Sequence, residues 1–193
     1  MHITITGRLG SGKSTVAKLI VAEHGYTYYS TGNIMRELAA EAGLSICDYN
    51  KRIVDDPTED RKIDDRTREV AIARRDENMV FDSRMAWFFA PDTFKVYVTV
   101  DPAVAAARVN IDPRPGEPNS EIEIYHELEE RSKVEQARFI KFYGEGADYY
   151  NQKNYNLIID STTRTAEEVA NAIWAAFEAY RADPAGNAYV EML

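Results

Sequence analysis

The sequence is poor in the features that mark disulfide-bonded, metal-cluster and membrane proteins. Its 193 residues include a single cysteine, Cys47, which excludes an internal disulfide and a multi-cysteine metal cluster. No stretch approaches the about 20 apolar residues that a transmembrane helix requires, and the N-terminus enters a predicted strand without a basic and apolar leader. We therefore expect a cytoplasmic protein with no membrane partner.

Positive charge is also scarce in this chain. Its 32 acidic residues outnumber its 23 basic residues and give a formal net charge of −9. Proteins hold long nucleic acids largely through many lysine and arginine side chains that displace counterions, so such a partner is not expected. Any phosphate site must be local and built from a few groups. We expect a monomer whose partners are small molecules.

The order of apolar segments predicts an α/β fold. Short apolar runs alternate with longer amphipathic ones, which is typical of β-α-β units in a parallel sheet. The predicted strands are His2 to Thr6, Tyr26 to Ser30, Met79 to Asp82, Phe94 to Val100 and Asn156 to Asp160. The segments Lys13 to His24 and Ala166 to Tyr180 carry apolar stripes of helical period and should pack on this sheet.

One glycine-rich segment lies between the first predicted strand and the first predicted helix. It reads Gly7-Arg8-Leu9-Gly10-Ser11-Gly12-Lys13-Ser14 and fits the P-loop pattern G-x-x-x-x-G-K-[ST] in full. Glycines let successive N–H groups point inward, and the helix N-terminus adds positive potential, so phosphate is bound without a basic patch. The alternative is a glycine-rich turn that binds nothing.

Each residue of the P-loop has a predicted role in binding ATP and Mg²⁺. Lys13 should reach the β- and γ-phosphates, and the Ser14 hydroxyl should ligate Mg²⁺. Thr15 either touches the α-phosphate or is an ordinary first-turn helix residue. The motif predicts a three-layer α/β/α P-loop fold with a five-stranded parallel sheet.

A magnesium site also favours a carboxylate at the end of a neighbouring strand. Three predicted strands end in aspartate, at Asp82, Asp101 and Asp160. Asp101 precedes a proline and a helical segment and is expected to cap that helix. Asp160 is followed by a polar loop. We therefore predict Asp82 as the metal carboxylate, with a structural cap as the alternative.

The rest of the chain narrows the class of P-loop protein. The guanine-binding pattern [NT]-K-x-D is absent, and no predicted strand ends in the Asp-Glu pair of ATP-hydrolysing motors. Arginines are present where a second phosphate would lie, at Arg36, Arg84, Arg131 and Arg138. This pattern favours a kinase that acts on a small phosphorylated acceptor.

Several further motifs follow the P-loop in order. They are Ser30 to Leu38, Asp56-Pro57 with Arg61 to Asp64, Asp82-Ser83-Arg84, Glu130-Arg131 with Arg138-Phe139, and Tyr143-Gly144. In order and spacing they resemble the cytidylate kinases, in particular the archaeal-type branch. The resemblance covers most of residues 1 to 170 and implies a nucleoside monophosphate kinase that uses ATP and Mg²⁺ to phosphorylate CMP or dCMP.

The resemblance also implies roles for individual residues and segments. Arg36 and Arg84 would hold the acceptor phosphate, and the lid arginines Arg131 and Arg138 would close over the transferring group. The residues around the acceptor base would include Asp60, Arg61 and Asp64. The domain plan is a core of residues 1–32, 77–109 and 147–181, an acceptor-binding insertion at 33–76, a lid at 110–146 and a tail at 182–193.

Other interpretations of these residues remain open. Arg131 lies four residues from both Glu127 and Glu135, so a solvated helix with internal ion pairs also explains it. A charged helix face equally explains the polar residues between positions 60 and 64. The functional alternatives are a kinase of the same fold with another nucleotide, a shikimate-like metabolite or a coenzyme precursor as acceptor, and a regulatory protein that binds ATP without phosphorylating a metabolite.

Overall fold

The computed structural model describes residues 1–44, 48–49, 52–53, 57–90, 92–111, 120–186 and 191–192. Cys47, Asp56 and the side chain of Asp60 lie outside the described part of the chain. Within that part, no helix is long and apolar enough to cross a membrane.

The centre of the molecule is a parallel sheet. Its strands are β1 (Ile3–Gly7), β2 (Thr27–Ser30), β3 (Met79–Asp82), β4 (Phe94–Thr99), β5 (Leu157–Asp160) and β6 (Glu191–Met192). Their order across the sheet is β2-β3-β1-β4-β5-β6, and every neighbouring pair is parallel. The predicted five-stranded sheet is confirmed. Two residues of the tail extend it at the β5 edge.

The helices fill the connections between strands. They are α1 (Lys13–His24), α2 (Thr31–Glu41), α3 (Pro57–Ala73), α4 (Ala86–Phe89), α5 (Pro102–Ile111), α6 (Glu121–Tyr143) and α7 (Ala166–Ala182). Two 3₁₀ turns, Glu145–Ala147 and Gln152–Asn154, lie between α6 and β5. Helix α7 begins with a capping box in which Thr165 and Glu168 exchange side-chain and backbone hydrogen bonds.

Alternation along the strands sends apolar side chains to both faces of the sheet, which produces three layers. On one face, Val96 and Val98 pack with α1 and α7 in the largest buried cluster, as the apolar stripes of those helices predict. On the other face, Tyr97 and Ile158 pack with α4, α6 and the 3₁₀ turns. The three-layer arrangement is therefore confirmed.

The segment between β2 and β3 has a small core of its own. Buried residues of α2 and α3, Ala39 and Ile63, pack with Tyr49 and Ile53 from the connection between the two helices. This cluster lies apart from the two that cover the sheet. The segment therefore packs around a core of its own.

The strand order places the ends of β1 and β3 side by side. Strand β1 pairs with β3 on one side and with β4 on the other, and Ile5 lies opposite Asp82. In open parallel sheets, ligands bind at the carboxyl ends of the strands where the order reverses. The turn after β1 and the residues after β3 therefore share the edge where a ligand is expected.

Candidate functional site

The turn from Gly7 to Ser14 is held close to the sheet by backbone contacts that only glycine allows. A Cβ atom on Gly7 would lie 2.2 Å from the carbonyl oxygen of Val98. Gly10 has a φ of +73°, and a Cβ there would lie 2.8 Å from the Cβ of Ala105. The turn therefore packs directly on β4 and α5, and Gly7 and Gly10 are required by space as well as by conformation.

Lys13, the first residue of α1, is a half-buried cation next to other cations. Burial, together with the positive charge of Arg84, lowers the pKa of Lys13 to about 7, although Asp82 acts in the opposite direction. Among the described residues, no carboxylate lies within ion-pair distance of its ammonium group. An anion bound in the turn would supply the missing negative charge, which is the situation expected in a phosphate site.

Ser14 and Asp82, the two predicted metal ligands, are in direct contact. Ser14 Oγ donates a hydrogen bond of 2.5 Å to Asp82 Oδ2, and the hydroxyl of Tyr28 donates to the same oxygen at 2.8 Å. Asp82 is 5% exposed. Hydroxyl and carboxylate oxygens are the hard ligands that Mg²⁺ prefers, so this pair fits that ion.

The other two strand-end aspartates have structural partners. Asp101 Oδ1 accepts from the backbone N–H of Ala103 at 2.9 Å, at the start of α5. Asp160 Oδ1 accepts from the N–H of Thr162 at 2.7 Å. Both carboxylates therefore stabilise turns that follow their strands, as the sequence analysis expected for Asp101.

A buried carboxylate joins two of the predicted phosphate-binding arginines. Glu135 accepts from Arg84 Nε through one oxygen and from Arg131 Nε through the other, both at 2.9 Å. The Glu135 and Arg84 side chains are only 12% and 15% exposed. Burial alone would raise the pKa of Glu135, but the two guanidinium groups lower it to about 2. Glu135 is therefore a charged bridge at neutral pH.

Arg84 also contacts the P-loop directly. Its Nη1 donates to the carbonyl oxygen of Gly7, and its guanidinium lies 5.8 Å from the ring centroid of Tyr149. Burial is the largest single influence and disfavours its charge, but the attraction of Glu135, the tyrosines Tyr149 and Tyr97, and the hydrogen bond to Glu135 together outweigh it, and the pKa of Arg84 is raised. The guanidinium is thus fixed beside the start of the P-loop, where the prediction placed a phosphate-binding arginine.

Arg131 combines features of both interpretations that the sequence left open. It forms the expected ion pair with Glu135 four residues later on α6. The helix is not simply solvated at this point, however, because the same carboxylate binds Arg84 of the core. The sequence missed this second partner, since the 51 residues that separate Arg84 from Glu135 leave no local signal.

The remaining predicted arginines lie in different settings. Arg36 is exposed on the first turns of α2, where its guanidinium donates to Asn33 Oδ1. Arg138 is half-buried on α6, with its guanidinium 5.0 Å from the ring centroid of Phe139. The structure thus brings Arg84 and Arg131 together, whereas Arg36 lies at the surface of α2.

The residues predicted near the acceptor base differ in burial. Asp64 is 7% exposed and accepts a hydrogen bond of 2.6 Å from the Tyr143 hydroxyl at the end of α6. It therefore does not belong to a solvated helix face, which was the alternative for this segment. Arg61 is exposed on α3, and the side chain of Asp60 is outside the described part.

Three further contacts that sequence reasoning missed hold the P-loop in place, two of them directly and one through Ser161. Ser161, after β5, lies 3.1 Å from the carbonyl oxygen of Ser11 through its hydroxyl, and Arg108 of α5 donates to the carbonyl of Ser161 at 2.7 Å. Arg8 approaches Glu129 of α6 at 3.6 Å. The P-loop is therefore braced by β5, α5 and α6. These partners are distant in sequence, so no sequence motif predicts the contacts.

Comparison with known proteins gives matches over most of the chain. The model of the cytidylate kinase-like family matches residues 2–163. A cytidylate kinase from Archaeoglobus fulgidus is 34% identical over 179 residues, which cover 92% of this chain and 95% of that protein. A protein from Lacinutrix mariniflava named S-adenosylmethionine-dependent nucleotide dehydratase is 34% identical over 172 residues, covering 89% of this chain but 34% of that protein.

Solved structures agree with the architecture. A shikimate kinase from Bacteroides thetaiotaomicron superposes with a TM-score of 0.61, covering 92% of this chain and 98% of that one, at 15% sequence identity. At that identity the likeness establishes a common fold and leaves the acceptor open.

Proposed function

Because the chain belongs to the cytidylate kinase-like family, we propose that it is a phosphotransferase that moves the γ-phosphoryl group of ATP to a nucleoside monophosphate. We propose CMP or dCMP as the acceptor. The observation that carries the proposal is the meeting of two sets of anion-binding groups at one edge of the sheet. The P-loop supplies one set, and Arg84 with Arg131 supplies the other.

The electrostatic neighbours of Lys13 support this arrangement. The charged side chains that affect its pKa are Arg84, Asp82, Glu135 and Arg131. With Lys13 itself, they amount to three positive and two negative side chains around one point. Phosphoryl transfer is catalysed mainly by alignment and neutralisation of charge, and this group of side chains suits that task.

On the donor side, the backbone N–H groups of residues 7–14 would hold the phosphates of ATP, with Lys13 at the β- and γ-phosphates. Ser14 and Asp82 would hold Mg²⁺, which would neutralise the charge that develops on the transferring phosphate. Asp82 already accepts the proton of the Ser14 hydroxyl, which leaves the lone pairs of Ser14 Oγ available to a cation.

On the acceptor side, Arg84 would bind the phosphate of the nucleoside monophosphate. Glu135 accepts from its Nε and the Gly7 carbonyl from its Nη1, which fixes the guanidinium and leaves Nη2 to donate to phosphate oxygens. Arg36 would add a second guanidinium. A nucleotide phosphate has a second pKa of about 6 and is largely dianionic at neutral pH, so its attack on the γ-phosphorus needs no general base.

Arg131 would neutralise charge on the transferring group. The family resemblance implies lid arginines that close over the transferring group, but Arg131 is already tied to Arg84 through Glu135. We therefore propose that this part of α6 is assembled before substrate binds. Arg138 would complete the set when the lid closes.

The choice of a cytosine acceptor rests on the names of the relatives and on the polar residues of α3. The Archaeoglobus fulgidus protein is named a cytidylate kinase, and the match covers nearly its full length. The dehydratase name belongs to a protein about three times as long as the matched segment, so it does not favour that chemistry for this chain. Arg61 and Asp64 lie on α3, where the acceptor base is proposed to bind.

A panel of acceptors tests the proposal. ADP formation from ATP and Mg²⁺ is followed by a coupled assay with each nucleoside monophosphate, each deoxynucleoside monophosphate and shikimate as acceptor. We expect CMP and dCMP to have the highest kcat/KM. If only another nucleotide were phosphorylated, cytosine would be rejected as the acceptor base and the kinase activity would be retained. If no acceptor stimulated turnover, the kinase activity would be rejected and an ATP-binding regulatory protein favoured.

A further inference from the structure

Tyr28 lies beside the proposed metal site but has no part in the function described so far. It is located in β2, opposite Val80 of β3, and its neighbour along the strand, Ser30, lies opposite Asp82. Strand alternation turns Tyr28 and Val80 toward α1, and both pack in the buried cluster on that face of the sheet. The phenol ring thus points to the helix that carries Ser14.

The contact with Asp82 is specific. The Tyr28 hydroxyl donates to Asp82 Oδ2 at 2.8 Å, and the Ser14 hydroxyl donates to the same oxygen at 2.5 Å. Two donors on one oxygen, one from β2 and one from α1, restrict rotation of the carboxylate about its Cβ–Cγ bond.

We propose that Tyr28 is a positioning residue that fixes the Asp82 carboxylate in the orientation that binds Mg²⁺ together with Ser14. The inference rests on the proposed function, because it assumes that Ser14 and Asp82 form the metal site. Hydrogen bonds from a second layer of side chains commonly orient metal-binding carboxylates and strengthen metal affinity.

The chemistry of the phenol suits this role. A phenol in water has a pKa of about 10, well above neutral pH. The hydroxyl keeps its proton at neutral pH and is a constant donor. It can therefore hold Asp82 in the same orientation before and after a cation takes up the lone pairs of Ser14 Oγ.

The next residue of the strand provides a matched control. The Tyr29 side chain projects to the opposite face of the sheet, where its ring lies 5.0 Å from that of Phe81. Its hydroxyl is 3.1 Å from Thr67 Oγ1 of α3. Substitution by phenylalanine removes one hydroxyl at either position, but only Tyr28→Phe removes a contact to Asp82.

The test measures the dissociation constant of Mg²⁺ from the complex of the full chain with a non-hydrolysable ATP analogue. Isothermal titration calorimetry gives this constant for the wild-type protein and for the Tyr28→Phe, Tyr29→Phe and Asp82→Asn variants. We expect Tyr28→Phe to raise it about 10-fold, the lower end of the range typical of lost outer-layer hydrogen bonds. Tyr29→Phe should leave it unchanged.

The Asp82→Asn variant distinguishes a failure of the proposed metal site from a failure of the proposed role of Tyr28. If it raises the dissociation constant while Tyr28→Phe does not, the metal site stands and the role of Tyr28 is refuted. If Asp82→Asn leaves the constant unchanged, the metal site itself is misplaced. Equal weakening in Tyr28→Phe and Tyr29→Phe would point to a general packing effect and would also refute the inference.

Discussion

At the level of single side chains, Lys13 and Glu135 have opposite electrostatic surroundings. Lys13 is half-buried near Arg84 and loses part of its tendency to be charged, so its pKa falls to about 7. Glu135 is buried between two guanidinium groups that hold its pKa at about 2. Within the described ranges of the chain, Lys13 has no carboxylate at ion-pair distance, whereas Glu135 has two guanidinium partners.

Replacement of Lys13 tests the donor side of the site. We expect Lys13→Ala to reduce kcat by about 10²- to 10³-fold, because removal of one preorganised group that stabilises transition-state charge typically costs that much. Lys18→Ala is the matched control, since Lys18 is exposed on the same helix. Steady-state rates at saturating ATP and CMP give the comparison. Wild-type turnover in Lys13→Ala would mean that Lys13 does not stabilise the transferring phosphate.

The lowered pKa of Lys13 predicts uptake of a proton when ATP binds. At pH 8 a group with a pKa of about 7 is mostly neutral, and phosphates next to it would raise that pKa and restore the charge. We therefore expect close to one proton taken up per ATP at pH 8 and much less at pH 6. Calorimetry in buffers of different ionisation enthalpy measures the number. The Lys13→Ala variant should lose this uptake, and an equal uptake in both proteins would contradict the assignment.

Replacement of Arg84 tests the acceptor side. We expect Arg84→Ala to raise KM for CMP about 10- to 100-fold, the loss typical of a hydrogen bond to a charged group, and to change KM for ATP less. Arg74→Ala is the control, because the guanidinium of Arg74 is paired with Glu77 at the surface. The placement would be wrong if ATP binding weakened while CMP binding stayed the same.

At the level of elements, three contacts along α6 join it to the P-loop, to Arg84 and to α3. Glu129 approaches Arg8 of the P-loop, Glu135 binds Arg84, and Tyr143 donates to Asp64 of α3. The same helix therefore contacts both proposed substrate-binding regions. Its central attachment is the most buried of these ion pairs and should matter most for stability.

We expect Glu135→Gln to lower the free energy of unfolding by about 3 kcal/mol at pH 7, since loss of one partner from a buried ion pair costs roughly 3–5 kcal/mol. The folded-state pKa of about 2 lies below the ordinary value of 4.5. The stabilisation is therefore complete above pH 4.5 and is lost as the pH falls toward 2. Urea unfolding at pH 7 and pH 3 should show a smaller difference between the two proteins at the lower pH.

The matched control for this helix is Glu130→Gln, because Glu130 is exposed on α6. Its effect should be small and similar at both pH values. A loss of stability in Glu135→Gln that stays constant from pH 7 to pH 3 would contradict the buried ion pair.

At the level of the whole molecule, sequence predicts the repeating elements better than their mutual contacts. Apolar runs and stripes indicate the five main strands and helices α1 and α7 within about two residues, because burial on the sheet fixes their period. The small β6 strand has no such signal, since its pairing to β5 depends on where the tail runs.

In the candidate site too, sequence predicts local motifs better than contacts between distant segments. The P-loop was predicted in full because its residues are consecutive, and the contact of Ser14 with Asp82 followed from parallel strands ending at one edge. The bridge from Arg84 to Glu135 was not predicted, and neither was the bond from Tyr28 to Asp82. These contacts join distant segments, and a single sequence does not record which side chains the fold brings together.

The most direct test of the account is a crystal structure with a bisubstrate analogue in which adenosine and cytidine are joined by a chain of phosphates. We expect the adenosine end of the phosphate chain to lie against the backbone amides of residues 7–14 and Lys13, with Arg84 bonded to the phosphate next to cytidine. The proposed acceptor site would be contradicted if Arg84 kept only its bonds to Glu135 and Gly7 and pointed away from that phosphate.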